Sequence, residues 1–460
     1  MVSENGPLQG LKVQVNGKGQ VSHTGSALLL SATAEALGLP RLLSDGMAST
    51  RKRRSAHNPG QVLCQLAVVL ADGGTSLSDL ATLREQPELF GDLPSDSTAF
   101  RVIDSVDEEV LAKLNRKMVT ARANAYKLGA NPSRERCAEG QRELTIIDAD
   151  ATLLDAHSNK EHARGTWKKG FGFHPILAYR DDNGEALAGI LRPGNAGSNT
   201  ASDHIKLINL SLAQLDDRAM CGQILFRCDG AGATHETVSY CRGEDMLFSV
   251  GFDLTDNVRQ AVTSKDGWET GWVQALHTDG SERKYSQIKE FTGIIPLTPE
   301  WGETTRILVR RSKIAVGVQQ TLADHDGYKL SVFITDQAEP DLRILDLTQR
   351  GHAHVEERIR EGKDCGLRNL PFKSFRRNQV WLWLVQLAQN LLAWARQLAL
   401  GEEAGAWELK TLRYRLLYQS ARIAHHARQR VLRLSLSWPW AALLAVAFAR
   451  LKALPDPSIS

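Results

Sequence analysis

Leu144-Thr-Ile-Ile-Asp148-Ala-Asp150-Ala-Thr152 is the stretch from which the fold is read. Residues 144–147 have the composition of a buried strand. On a strand, alternate residues share a face. Asp148, Asp150 and Thr152 therefore point one way, and Ile147, Ala149 and Ala151 the other. Two carboxylates on one face repel each other unless a cation or a base lies between them, so the stretch predicts a strand end that holds a metal. Ile224-Leu-Phe-Arg-Cys-Asp229-Gly230 repeats the pattern: an apolar strand ends in an acid, and glycine allows a sharp exit. Ligands bind at such strand ends in open α/β sheets. His352-Ala-His-Val-Glu356-Glu357-Arg-Ile-Arg360-Glu-Gly-Lys363 reads as a helix. At about 100° per residue, His352, Glu356 and Lys363 fall within about 40° of one another. Arg360 lies close to that stripe, and Val355 and Ile359 make the apolar side.

The pattern changes on either side of these segments. Residues 26–39 read as helical and 40–59 as a basic, polar linker. Short helices at 61–71, 77–84 and 99–106 follow, separated by Gly73-Gly74 and Pro94-Ser95-Asp96. That succession predicts a bundle of helix-turn-helix type, with Arg101 on its third helix. A longer helix is expected at 108–127. Strands are expected at 144–147, 176–179, 186–191 and 224–228, with a helix at 202–215. Residues 245–335 are rich in strand-like runs, and helical periodicity returns from Gly351. This order predicts an α/β core interrupted by a β-rich insertion, preceded and followed by mainly helical regions. The expected divisions are 1–140 (helical, DNA-binding), 141–240 (first part of the core), 241–335 (insertion and return strand), 336–400 (acidic helix and the next helix) and 401–460 (basic, helical).

A chain of 460 residues is long enough for roughly three domains and a sizeable core. Its net charge of +3 says little, but the distribution of charge says more. No acid occurs between Glu408 and Asp456, where there are nine lysines and arginines, and a second basic cluster is Arg51-Lys52-Arg53-Arg54. Local basic patches on a near-neutral chain point to an anionic partner such as nucleic acid. The six cysteines form no Cys-x-x-Cys pair, which argues against a zinc site of the usual spacing and for free thiols in a reducing compartment. The N-terminus lacks the pattern of a signal peptide. The apolar run 438–449 is too short to span a bilayer. A soluble, cytoplasmic and nucleoid-associated protein without a membrane partner is expected.

In combination, these residues resemble the DDE transposases of bacterial insertion sequences, in the cut-and-paste branch with a Tyr-x2-Arg-x3-Glu-x6-Lys signature. The resemblance is carried by Asp150-Ala-Thr152, by Asp229-Gly230, and by Glu356 with Lys363. The segments 71–84, Gly172-Phe-His-Pro175, Leu191-Arg-Pro-Gly-Asn195 and Gly366-Leu-Arg-Asn-Leu-Pro371 add to it. It spans about residues 25–400. The chain departs from the signature at its first two positions, where Gln349 and His352 stand for Tyr and Arg. Arg350 or Arg360 is the expected substitute for the missing phosphate contacts. The Asp-x-Thr pattern favours Asp150 over its rival Asp148, and the spacing to Lys363 favours Glu356 over Glu357.

The resemblance implies a ribonuclease-H-like core with catalytic and metal-binding acids Asp150, Asp229 and Glu356, using Mg2+ with Mn2+ as a possible substitute. It implies cleavage at terminal inverted repeats of double-stranded DNA, joining of the 3′ ends to target DNA, and a homodimer in the DNA complex. Lys363 would contact a phosphate. Among Trp268, Trp272 and Trp301 in the insertion, one would stack on a DNA base. Arg53, Arg101, Arg350, Arg360, Trp272 and Trp301 complete the expected DNA contacts. The competing expectations are a different ribonuclease-H-like nuclease and an inactive DNA-binding derivative.

Overall fold

In the computed structural model the apolar run and the acids after it form one strand, β1 (Leu144–Ala151). The structure describes residues 19–51, 56–130, 144–156, 159–197, 200–215, 222–315, 317, 319, 324–426 and 429–457. β1 lies antiparallel to β2 (Ile176–Arg180), which lies antiparallel to β3 (Ala186–Ile190). On its other side β1 runs parallel to β4 (Gln223–Cys228), and β4 runs parallel to β5 (Leu247–Phe252). Four more strands continue beyond β5: β6 (Val273–Leu276), β7 (Glu282–Glu290), β8 (Arg306–Lys313) and β9 (Tyr328–Thr335). They give one mixed nine-stranded sheet in the order β6-β7-β8-β9-β5-β4-β1-β2-β3. The strand-rich stretch thus extends the sheet that carries the acids. Its last strand joins β5 through pairs from Val332↔Phe252 to Thr335↔Ser249.

The principal helices are α1 (Pro59–Asp72), α2 (Glu108–Lys127), α3 (Ala201–Leu212), α4 (His235–Gly243), α5 (Leu342–Arg350), α6 (Ala353–Gly362), α7 (Phe375–Ala399) and α8 (Ala441–Lys452). They cover both faces of the sheet. Ile147, Ala149, Ile176, Ala178, Phe226 and Cys228 belong to one apolar cluster with Leu207 and Ile208 of α3 and Val238 and Cys241 of α4. The opposite face, to which Asp148 and Asp150 belong, lies under α6 and α7, where Leu177 and Tyr179 share a core with Val355, Ile359 and Trp394. The mixed α/β architecture read from the sequence is present.

An uncovered edge strand exposes a row of unpaired backbone groups, and α7 deals with this at β3. Asn390 accepts from the Ala186 amide at 2.7 Å and donates to the Ala186 carbonyl at 3.0 Å. Gln386 donates to the Ala188 carbonyl at 2.7 Å. Gln379 donates to the Gly189 carbonyl at 3.0 Å and accepts from the Leu191 amide at 2.7 Å. Residues 379, 386 and 390 recur at helical spacing on one face, so a single polar stripe satisfies the strand edge.

The first helices and the end of the chain meet around α7. α1 is capped by Asn58, whose side chain accepts from the amides of Gly60 and Gln61, and it joins α7 and α8 in one core cluster. Residues 401–460 require a correction. The expected helical region is interrupted by a hairpin, Ala421–His426 with Gln429–Leu434, which pairs with Gln20–Val21. The cause is an alternation of period two: Ala421 and Ile423 are buried while Arg422 between them is exposed. Among the described residues no single helix is long and apolar enough to cross a membrane.

Candidate active site

Asp148 and Asp150 share a strand face, but their surroundings differ. β1 and β4 run parallel with Asp148 opposite Arg227. Arg227 Nη2 donates to Asp148 at 2.6 Å and reaches Asp181 at 3.1 Å, and both Arg227 and Asp148 are 1% exposed. His352 Nδ1 lies 2.6 Å from the other Asp148 oxygen, and His354 Nδ1 lies 2.9 Å from Asp181. Arg227 also donates to the Thr348 carbonyl at 2.5 Å, tying α5 to the sheet. Gly351 is required at the junction of α5 and α6, because a Cβ there would come within 2.5 Å of the Arg227 guanidinium. Asp148 is therefore fully engaged in a buried ion network.

Just past the last register pair, Ala149↔Cys228, β1 carries Asp150 and the chain leaving β4 carries Asp229. Asp229 is exposed and caps the short turn Gly230–Gly232, accepting from the Ala231 amide at 3.0 Å. Glu356 is exposed in the first turn of α6. Burial first, and then the charges of Asp229 and Glu356, push the Asp150 carboxyl up to about 6, against the opposing pull of His352. The three acids thus act on one another across β1, β4 and α6. Among the described residues no three His, Cys, Asp or Glu side chains stand close enough to enclose an ion. Like charges repel, and that repulsion adds to burial in raising the Asp150 pKa.

The Glu356 charge acts on Asp150, and Glu357, Arg358, Arg360 and Glu361 of α6 line a cavity of about 740 Å³ against residues 396–410. Arg360 pairs there with Glu408 at 3.3 Å. Arg350 pairs with Asp346 at 2.8 Å and donates to the Leu276 carbonyl. Neither arginine joins the acids. His352, where the signature has Arg, does. Burial opposes its charge, but the hydrogen bond with Asp148 and the charges of Asp148 and Asp150 raise its pKa above the ordinary value. Gln349, where the signature has Tyr, accepts from Ser249 Oγ at 2.6 Å and donates to the Cys228 carbonyl at 3.3 Å, bracing the middle of β5 and the end of β4.

Lys363 follows α6 and lines a cleft of about 460 Å³ with Asp155, Lys160, Arg368 and Asn369. Burial and the Arg368 charge lower its pKa, while Asp150 and Asp155 work the other way. Gly366, at φ 96°, turns the chain beside Leu70 and the Gly74 carbonyl, and Asn369 donates to the Thr75 carbonyl at 3.0 Å. The separated segments 71–84 and 366–371 therefore meet behind the cleft, whose wall carries Arg368 and Asn369.

The other expected contacts lie elsewhere. Arg101 is exposed on the helix Asp96–Asp104 and hydrogen-bonds back to Ser97 and Thr98. Arg53 lies outside the described residues. Trp301 is 9% exposed and packs edge-on against His235 and Phe252. Trp272 donates to the Gly267 carbonyl at 3.1 Å and, like Trp268, lies beneath the Arg311 guanidinium. Arg227 escaped the sequence reading although it stands two residues before Asp229 on the same strand face. That alternation was the available signal.

The transposase DDE domain group 1 family matches residues 5–456 of the chain. The chain belongs to that family. It is a transposase by descent, a protein of transposition and DNA recombination. No curated protein sequence matches it. Among solved structures the transposase is similar to the cryo-EM structure of a piggyBac transposase synaptic complex with hairpin DNA. The identity is 10%, the match covers 85% of this chain and 79% of that one, and the TM-score is 0.38. No residue correspondence follows at that distance.

Proposed function

We propose that this transposase cuts DNA at the terminal inverted repeats of its own insertion sequence and joins the freed 3′ ends to target DNA, with Asp150, Asp229 and Glu356 as the catalytic acids. The observation that carries the reading is the contrast at the sheet's end. Asp148 is neutralised by Arg227 and His352, while burial first, and then the charges of Asp229 and Glu356, raise the pKa of Asp150. The order β3-β2-β1-β4-β5, antiparallel through β1 and parallel from β1 to β5, supports a ribonuclease-H-like core.

The residues fit a divalent cation. Carboxylate oxygens are the ligands that such hard cations take, and a positive charge between the acids would offset both the burial and the repulsion that raise Asp150. Bound there, Mg2+, or Mn2+ in its place, would supply Lewis acidity to the phosphoryl oxygens and activate the attacking hydroxyl. Asp150 and Asp229 would hold it from the fixed ends of β1 and β4, and Glu356 from α6. His352, held by Asp148, keeps a positive group beside Asp150. Lys363 and Arg368 line the cleft that would receive a backbone phosphate, where Lys acts as a point charge and Arg as a fork. Double-stranded DNA is the partner, and a homodimer would bring two ends together. The test is Mg2+-dependent cleavage of DNA flanking the gene, searched for an inverted repeat. The reading requires nicks at the repeat boundary, and a purified, folded protein that leaves that DNA intact would overturn it.

A further inference from the structure

Beside the acids stands a hairpin that the sequence reading passed over. The strands Arg164–Gly165 and Phe171–Phe173 pair with each other, and Phe171–Phe173 pairs in turn with Leu154–Asp155. Asp155 is five residues past Asp150 and lines the Lys363 cleft. The hairpin's base is fixed. Phe173 and His162 pack on Phe375 at the start of α7, with ring centroids 6.1 and 4.9 Å away. Thr166 and Gly170 exchange hydrogen bonds across the turn, at 2.8 Å between backbones and 3.0 Å to the hydroxyl. Gly194 admits the loop 191–195 against the hairpin, since a Cβ there would come within 2.4 Å of the Arg164 carbonyl.

The tip is different. Trp167 is 72% exposed, and Phe171 beside it is 44% exposed. Every other tryptophan of the chain is buried, hydrogen-bonded through its indole or packed on another ring. The Lys168 ammonium lies 4.8 Å from the Trp167 ring centroid. Arg164, Lys168 and Lys169 are all exposed. None of the three has an ion-pair partner among the described residues. A single exposed aromatic residue is ordinary. An aromatic residue on a rigid hairpin, ringed by unpaired cations and adjoining a phosphate-sized basic cleft, has the composition of a stacking platform for single-stranded nucleic acid. Asp155 joins hairpin and cleft: it lines the cleft, pairs with Gly172 of the hairpin, and its carboxylate would lie 3.1 Å from a Cβ on Gly170 in the turn.

We propose that Trp167 stacks on an unpaired DNA base next to the phosphate held by the Lys363 cleft, with Lys168 and Lys169 against the flanking backbone. This rests on the transposase reading and adds a contact outside the strand-rich insertion, whose own tryptophans are committed to packing.

The experiment is fluorescence anisotropy in EDTA with the full chain, using duplexes of the flanking DNA in three forms: blunt, with a three-nucleotide unpaired 3′ tail, and with the same tail made abasic. The wild type is expected to favour the tailed duplex and to lose that preference when the tail is abasic. Trp167→Ala should weaken tailed binding about tenfold and change blunt binding less than twofold, and Trp167→Phe should recover most of the loss. Equal binding of the tailed duplex by wild type and Trp167→Ala would overturn the proposal, as would an equal loss on blunt and tailed DNA. A wild type that binds none of the three would overturn the transposase reading along with it.

Discussion

Asp148 and Asp150 leave one strand on one face, two residues apart, and meet opposite fates. Asp148 sits in a closed network with Arg227, His352 and, through Arg227, Asp181. Asp150 faces Asp229 and Glu356, and its pKa rises to about 6. Their charged neighbours differ: the parallel register sets a guanidinium opposite Asp148, whereas at Asp150 the charges of Asp229 and Glu356 add to burial. A neutralised buried acid holds structure together. On the proposed reading, the acid set beside other acids is the one that takes the cation, and perturbed groups are common at functional sites.

Substitutions should separate the two. The largest effect is expected from Asp150→Ala, Asp229→Ala and Glu356→Ala, each lowering DNA cleavage by about a thousandfold or more with the fold intact by circular dichroism. Any one of them retaining wild-type nicking would remove that residue from the site. Asp148→Ala should act on the fold instead, because it leaves Arg227 buried without its closest counter-charge. A loss of about 3–5 kcal/mol is expected in urea unfolding, and unchanged stability would show the network to be dispensable.

A smaller effect concerns pH. The folded pKa of Asp150 lies above the unfolded value of about 3.9, so ionising it within the fold costs stability. That stability is present below pH of about 4 and is lost as pH rises to about 6. Asp150→Asn should therefore raise the melting temperature by about 2 °C at pH 7 and leave it unchanged at pH 4. An equal shift at both pH values would break the argument. Smallest of all, Glu357→Gln and Arg360→Ala, which line the cavity against residues 396–410, should change cleavage less than about threefold, as expected of partly exposed surface charges.

Local pattern made much of this legible. Alternation gave β1 and the strand before Asp229, and helical spacing gave the face of α6 with Glu356. Pairings between distant segments were not legible. Nothing near residue 330 announces that β9 will pair with β5, because the register is settled by a partner some eighty residues away. The choice between Asp148 and Asp150 needed the β1–β4 register, which sets Arg227 against only one of them. The hairpin at 421–434 was missed because its alternation is short and dense in arginine. Trp167 was missed because exposure is not written in composition.

The most direct measurement is Mn2+ binding by titration calorimetry, comparing wild type with Asp150→Ala and Asp148→Asn, the latter nearly isosteric. The account predicts that Asp150→Ala weakens Mn2+ at least about tenfold, as loss of a charged ligand should, while Asp148→Asn binds it as the wild type does. Loss of Mn2+ in Asp148→Asn with retention in Asp150→Ala would contradict it.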